Sequence, residues 1–130
     1  MSSPARAHRV QTVRGSVTVT VEIDGTVVAK SSRPVVLFEA GLPVRYYLPP
    51  GDVDLALFAP TDTRTTCPFK GEAHYWAYRG PDGTVEDRPD VAWSYPDPLD
   101  AAADIAGHLS FYDTRARITV EGDTPAPPAA

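Results

Sequence analysis

The residues with the most varied chemistry in this sequence lie close together, within residues 62–76. This stretch holds the only cysteine of the chain, Cys67, one of its two lysines, Lys70, and the histidine His74. A thiol, an ammonium group and an imidazole can together form a nucleophilic site, a metal site or an anion-binding site. These three interpretations need different partners, so the neighbouring residues discriminate between them.

The metal interpretation is weakened by the number of ligands. A structural zinc site requires four nitrogen or sulfur ligands, typically from paired Cys-x-x-Cys motifs. Lys70 stands where the second cysteine of such a motif would be. His74, His108 and Asp62 would have to complete the set, and nothing in their spacing favours this. We therefore expect no metal and no cofactor.

Cys67 is the candidate nucleophile or redox centre. A cation three residues away, Lys70, favours the reactive thiolate when both side chains face one cavity. Asp62 or His74 is the candidate for proton transfer, and the alternative for Asp62 is that it pairs with Arg64 or caps the turn. The alternative is that Cys67 is a small buried apolar side chain, as a single cysteine usually is.

Cationic and hydroxyl side chains in the same stretch also favour an anion-binding site. Arg64 and Lys70 lie among threonine hydroxyls, including that of Thr66, and Glu72 begins the following strand. Neither the Gly-x-x-x-x-Gly-Lys-Ser/Thr loop nor the Gly-x-Gly-x-x-Gly fingerprint of nucleotide sites is present. A solvated loop whose polar side chains cap turns is the alternative.

Aromatic side chains provide the candidate walls of a cleft. Alternation along strands places Trp93 and Tyr95 on one face, separates Tyr47 from its neighbour Tyr46, and sets Tyr75 opposite His74. Aromatic residues with polar tips line small-molecule clefts, and they complete cores just as commonly. We assign Tyr47, Tyr75, Trp93 and Tyr95 to a ligand-binding cleft.

Short alternating segments separated by Gly and Pro predict an α+β fold that is mostly antiparallel β. Asp24-Gly25 predicts a type I′ hairpin, and Pro98 begins a predicted helix that runs to about Tyr112. A closing strand follows over residues 115–121. The other predicted strands cover residues 17–23, 26–30, 35–39, 44–48, 53–58, 73–79, 84–87 and 91–95, with a turn over residues 80–83.

Length and charge set limits on the class of protein. A length of 130 residues indicates one domain, which we predict over residues 10–121. The composition of the two ends predicts a flexible arm over residues 1–9 and a disordered tail over residues 122–130. A net charge of −5 argues against nucleic acid or an anionic membrane as partner. The absence of a signal sequence and the Arg-, Pro- and Ala-rich composition favour a cytoplasmic protein from a bacterium.

Three runs of sequence resemble the domain-of-unknown-function family numbered 427, which carries a nucleotidyltransferase label. They are residues 62–76, 92–98 and 105–112, with a core of the form Thr-x-Thr-x-Cys-Pro-x-Lys-Gly, and the resemblance covers about residues 10–121. It implies a β-tent (Mss4-like) fold, similar to Mss4-like zinc proteins and B-type methionine sulfoxide reductases. This sequence lacks the Cys-x-x-Cys zinc motifs of those proteins.

Three functions stay open on the residues alone. The first is a binding domain that holds a small polar or anionic ligand in the aromatic cleft. The second is an enzyme with Cys67 as its nucleophile or redox centre and Lys70 as modulator. The third is an interaction module that forms a homodimer through a strand edge.

Overall fold

The fold is built almost entirely from short β-strands. The computed structural model describes residues 10–80 and 89–126. Within these residues, 3-10 helices cover Pro50–Asp52, Leu55–Leu57 and Asp100–Ile105. The strands are β1 (Val10–Arg14), β2 (Thr18–Ile23), β3 (Thr26–Ser31), β4 (Val35–Glu39), β5 (Arg45–Tyr47), β6 (Phe58–Cys67), β7 (Gly71–Tyr78), β8 (Asp90–Ser94), β9 (Leu109–Phe111) and β10 (Arg117–Glu121).

These strands form three antiparallel sheets, which confirms the predicted fold class. Their orders are β1-β4-β5, β10-β2-β3 and β6-β7-β8-β9. Reciprocal backbone hydrogen bonds between Leu48 and Leu109, of 2.8 and 2.9 Å, connect the first sheet to the third. The site described below therefore lies between strands of two sheets that are joined by main-chain contacts.

The β2–β3 hairpin forms as its sequence predicts. Asp24 and Gly25 have φ values of 51° and 80°, and a type I′ turn requires positive φ at both positions. Val19, Val21 and Ile23 are buried on one face of β2, while the residues between them are partly exposed. β10 pairs with the other edge of β2, so the predicted closing strand is also confirmed.

The predicted helix over residues 98–112 is wrong in type and length. The helical segment is a 3-10 helix over Asp100–Ile105, interrupted at Ala102, and the chain then enters strand β9. Gly107 donates its N–H to the Tyr95 carbonyl and Tyr112 donates to Val91, so the backbone pairs with the β8 region. Sheet pairing thus overrides the helical spacing of the small apolar residues.

The segment before the chemically rich stretch also differs from its prediction. Residues 53–58 were expected to form a strand, but a 3-10 helix covers Leu55–Leu57 and β6 begins only at Phe58. β6 is an edge strand, where Pro60 is tolerated because its missing N–H breaks no ladder bond. The predicted turn beyond Gly80 and its partner strand over residues 84–87 lie outside the described residues, as do the arm over residues 1–9 and residues 127–130.

The turn between β6 and β7 depends on the conformation of Gly71. Its φ of 111° is one that residues with a side chain rarely adopt, and an added Cβ would lie 3.4 Å from the Asp97 carbonyl oxygen. We expect Gly71→Ala to lower the free energy of unfolding by about 1–3 kcal/mol, measured by urea denaturation. Gly51→Ala is the matched control, because a Cβ there meets only the Arg33 guanidinium at 3.9 Å. Equal effects of the two substitutions would contradict this interpretation.

Candidate functional site

The candidate site is a cavity of about 190 Å³ between β4, β5, β7 and β8. Three strand segments contribute pairs of residues two positions apart, whose side chains share a face. These pairs are Leu37 and Glu39, Arg45 and Tyr47, and Trp93 and Tyr95. The other lining residues are Leu42, Pro43, Lys70, Tyr75 and Tyr112.

A salt bridge between Lys70 and Glu39 lies in the cavity wall. Lys70 Nζ is 2.6 Å from Glu39 Oε1, and the two side chains are only 12% and 6% exposed. Nζ also lies 5.8 Å from the centroid of the Tyr95 ring, where a cation is attracted to the ring face. The ammonium group is thus largely withdrawn from water and held by one carboxylate and one aromatic ring.

The backbone of the β6–β7 turn places Lys70 at this position. The Lys70 N–H donates to the Cys67 carbonyl at 3.3 Å, which closes the turn. The Lys70 carbonyl accepts a hydrogen bond of 3.0 Å from the Leu99 N–H, which fixes the turn against the segment before the last 3-10 helix. Two backbone bonds therefore hold the residue that carries the ammonium group.

Aromatic side chains around Trp93 form the opposite part of the wall. Trp93 Nε1 donates a hydrogen bond of 3.0 Å to the Tyr47 hydroxyl, and the two rings are nearly perpendicular. Tyr112 lies 4.6 Å from Trp93 between ring centroids, and Arg45 Cζ lies 5.3 Å from the Trp93 ring. These contacts orient Trp93 and keep the Arg45 guanidinium at the cavity.

Three tyrosines of the cavity have raised pKa values, and burial is the main cause. Burial raises the pKa of Tyr47 and of Tyr95, and with a smaller contribution from the adjacent Tyr75 hydroxyl it raises the pKa of Tyr112 to about 12. Each of these tyrosines therefore presents a neutral phenol at physiological pH. A neutral phenol can donate a hydrogen bond to a ligand.

The Tyr95 hydroxyl is a donor that no residue in 10–80 or 89–126 uses. Tyr95 is only 5% exposed, and its hydroxyl makes no hydrogen bond with any residue of the described chain. Every fully enclosed side-chain nitrogen or oxygen among those residues has a partner, so this hydroxyl must retain some open space beside it. Tyr95 is also one of the residues that line the cavity.

The structure brings half of the sequence-predicted site residues together. Tyr47, Tyr75, Trp93, Tyr95 and Lys70 all line the cavity. Cys67 is half-buried and packs against the apolar cluster that includes Tyr47, Trp93 and Tyr95, but it does not line the cavity.

The remaining predicted residues lie on the exposed part of the β6–β7 hairpin. Asp62, Arg64, Thr66 and Glu72 are exposed there, and Glu72 Oε1 contacts His74 Nε2 at 3.0 Å. The Arg64 guanidinium donates to the Thr61 and Thr63 carbonyls at 3.0 and 2.7 Å, where the β6–β7 register shifts. Arg64 therefore hydrogen-bonds to the backbone of the edge strand β6 and is not among the residues that line the cavity.

Sequence reasoning missed Glu39, Arg45 and Tyr112. Two of the three carried a usable signal, because Glu39 ends an apolar strand and Arg45 precedes Tyr47 by two residues. The proximity of Glu39 to Lys70 depends on contact between different sheets, which alternation within one strand cannot reveal.

We expect Glu39→Gln to lower the free energy of unfolding by about 3 kcal/mol or more, because it leaves the Lys70 ammonium buried without its carboxylate. The double variant Glu39→Leu, Lys70→Met should recover part of this loss, since it removes both charges. Glu72→Gln breaks the exposed contact with His74 and should cost less than about 1 kcal/mol. Chemical denaturation gives all three values. Similar losses for Glu39→Gln and Glu72→Gln would show that burial of the first pair has no energetic consequence.

Stability should fall in alkaline solution as the cavity tyrosines titrate. The folded state holds these protons more tightly than the unfolded chain, whose tyrosines have a pKa of about 10. Their contribution is therefore complete below pH 10 and decreases as the pH rises toward the Tyr112 value of about 12. Denaturation curves between about pH 8 and pH 11 test this. A Tyr112→Phe variant should lose less stability over that range, and a constant free energy of unfolding in the native protein would contradict the prediction.

Two further features of the described residues concern metal sites and membrane-spanning helices. No group of three or more His, Cys, Asp or Glu side chains arranged to hold a metal occurs in residues 10–80 and 89–126. None of the helices in these residues is long and apolar enough to cross a bilayer.

No functionally curated protein is significantly similar to the chain. The model of the domain of unknown function DUF427 matches residues 11–122, and the chain therefore belongs to the DUF427 family.

Proposed function

We propose that this protein binds a small polar or anionic molecule in the aromatic cavity. The observation that carries this proposal is the salt bridge between Lys70 and Glu39, nearly buried on the cavity wall. Removing two charges from water costs several kcal/mol per ion, and apolar residues in their place are often neutral or stabilising. The position of this pair on the wall of an open cavity therefore favours a role in shaping a binding site rather than a purely stabilising one.

The volume of the cavity supports a small ligand. About 190 Å³ corresponds to roughly six water molecules at about 30 Å³ each. Pockets for drug-sized ligands begin at about 300 Å³. A whole nucleotide is thus too large, which agrees with the lack of a nucleotide-binding motif in the sequence.

The charges of the lining favour an anion. Lys70 and Arg45 are cationic and Glu39 is anionic, so the three charged side chains of the cavity sum to +1. Lys70 and Glu39 neutralise each other at 2.6 Å, which leaves the Arg45 guanidinium to attract a negative group. A planar guanidinium recognises carboxylate and phosphate oxygens through paired hydrogen bonds.

The two alternative functions have less support. An enzyme based on Cys67 would use Lys70 to activate the thiol, but the Lys70 ammonium contacts Glu39 and the cavity lining does not include Cys67. A dimer through the β6 edge would compete with Arg64, whose guanidinium already occupies two edge carbonyls. The β-tent likeness, the bacterial source and the cytoplasmic location stay predictions of the sequence.

Ligand binding is tested by thermal denaturation with small carboxylates, inorganic phosphate and nucleotides. We expect at least one small anion to raise the melting temperature, since a ligand at 100 times its Kd adds about 2.7 kcal/mol to the free energy of unfolding. Nucleotides should have no effect. Arg45→Met should weaken binding at least about tenfold, whereas Arg64→Met should not, because Arg64 lies away from the cavity. The proposal fails if no compound stabilises the protein, or if the two arginine variants behave alike.

A further inference from the structure

The geometry points to an aromatic monocarboxylate as the ligand of this cavity. We propose that its carboxylate binds the Arg45 guanidinium and that one of its oxygens accepts a hydrogen bond from the Tyr95 hydroxyl. This inference rests on the binding function proposed above and names the ligand class of that same site. Three independent features of the cavity carry it, namely its unpaired cation, its unused donor and its aromatic walls.

The first feature is the state of the two cations. Lys70 is paired with Glu39, whereas the Arg45 guanidinium makes no salt bridge with any carboxylate in the described chain and lies over Trp93. A single uncompensated positive charge matches a ligand with a single negative charge. A carboxylate has this charge and also fits the two parallel N–H groups of a guanidinium.

The second feature is the Tyr95 hydroxyl, a buried donor without a partner in the described chain. Because this hydroxyl is not fully enclosed, water can hydrate it in the free protein, and a ligand that supplies an acceptor replaces that water with a direct hydrogen bond. The phenol is neutral at physiological pH and is therefore able to donate, because the pKa of a tyrosine is about 10 and burial raises that of Tyr95 further. The ligand must consequently present an oxygen or another acceptor here, which a carboxylate also provides.

The third feature is the apolar and aromatic character of the remaining walls. The rings of Tyr47, Tyr75, Trp93 and Tyr112 surround the cavity together with Leu37 and Pro43. Aromatic walls favour a flat aromatic body through offset-stacked and edge-to-face contacts. A single ring with one carboxylate suits a volume of about 190 Å³, while a small aliphatic acid would leave most ring surface without contact.

Benzoate is the first probe, with benzamide as its neutral counterpart, acetate as the carboxylate without a ring, and inorganic phosphate as a different anion. Isothermal calorimetry and intrinsic tryptophan fluorescence, to which Trp76 and Trp93 both contribute, would be measured on the full chain. We expect benzoate to bind at least about tenfold more tightly than any of the other three compounds. This comparison uses the native protein and so does not depend on the folding of a variant.

Variants then locate the benzoate site. Arg45→Met should reduce benzoate binding to the level of benzamide, and Arg45→Lys should restore only part of it, because the ammonium lacks the planar fork. Tyr95→Phe should weaken benzoate binding about tenfold. Tyr46→Phe is the matched control, since Tyr46 lies on the opposite face of β5 and does not line this cavity.

The outcomes separate this inference from the function on which it rests. Equal binding of benzoate and benzamide, or binding of phosphate alone, would overturn the ligand class and leave a small-molecule site in place. Equal effects of Tyr95→Phe and Tyr46→Phe would overturn the assigned donor. Failure of every small compound, in both this set and the wider panel, would overturn the binding function as well.

Discussion

The salt bridge between Lys70 and Glu39 is the interaction on which the arrangement of the site depends. It joins the turn after β6 to the end of β4, and these strands belong to different sheets. Moving the two partners of a buried ion pair apart leaves each charge uncompensated in a medium that solvates it poorly. The distance between the partners is therefore tightly constrained. At 2.6 Å the pair fixes the distance between the two sheets at the cavity, and it fixes the ammonium beside the Tyr95 ring.

Strand β5 imposes a second constraint because its two faces serve two cavities. Tyr47 lines the aromatic cavity, while Tyr46 lines a second cavity of about 210 Å³ between β2, β10, β5 and β9. The second cavity is walled mainly by aliphatic side chains, and the Tyr46 hydroxyl there lies 2.6 Å from the Thr124 hydroxyl. A three-residue strand thus separates a polar aromatic site from an aliphatic one, so neighbouring tyrosines have different roles.

The parts of the structure that could be predicted follow from local rules. Alternation and turn chemistry correctly gave the β2–β3 hairpin, and alternation also separated Tyr46 from Tyr47. The helix over residues 98–112 was wrong because its apolar spacing is local, whereas the hydrogen bonds of Gly107 and Tyr112 to the β8 region come from tertiary pairing. Alternation along the strands also predicted four of the aromatic residues that line the cavity, namely Tyr47, Tyr75, Trp93 and Tyr95. The pairing of Glu39 with Lys70 could not be predicted in this way, because the two residues meet only through contact between sheets and are 31 residues apart in the chain.

The core of the sequence resemblance, Cys67-Pro68-Phe69-Lys70-Gly71, has a structural explanation that needs no reactive thiol. Cys67 packs against the apolar cluster and anchors the end of β6, and Gly71 adopts a φ of 111° that lets β7 begin at once. Between them, the Lys70 carbonyl is bound by the Leu99 N–H, so the side chain is directed to Glu39. Cys67, Lys70 and Gly71 thus act together to bring one ammonium group to a buried carboxylate. The ion pair connects this turn to the cavity, while Cys67 packs against the apolar cluster beside it.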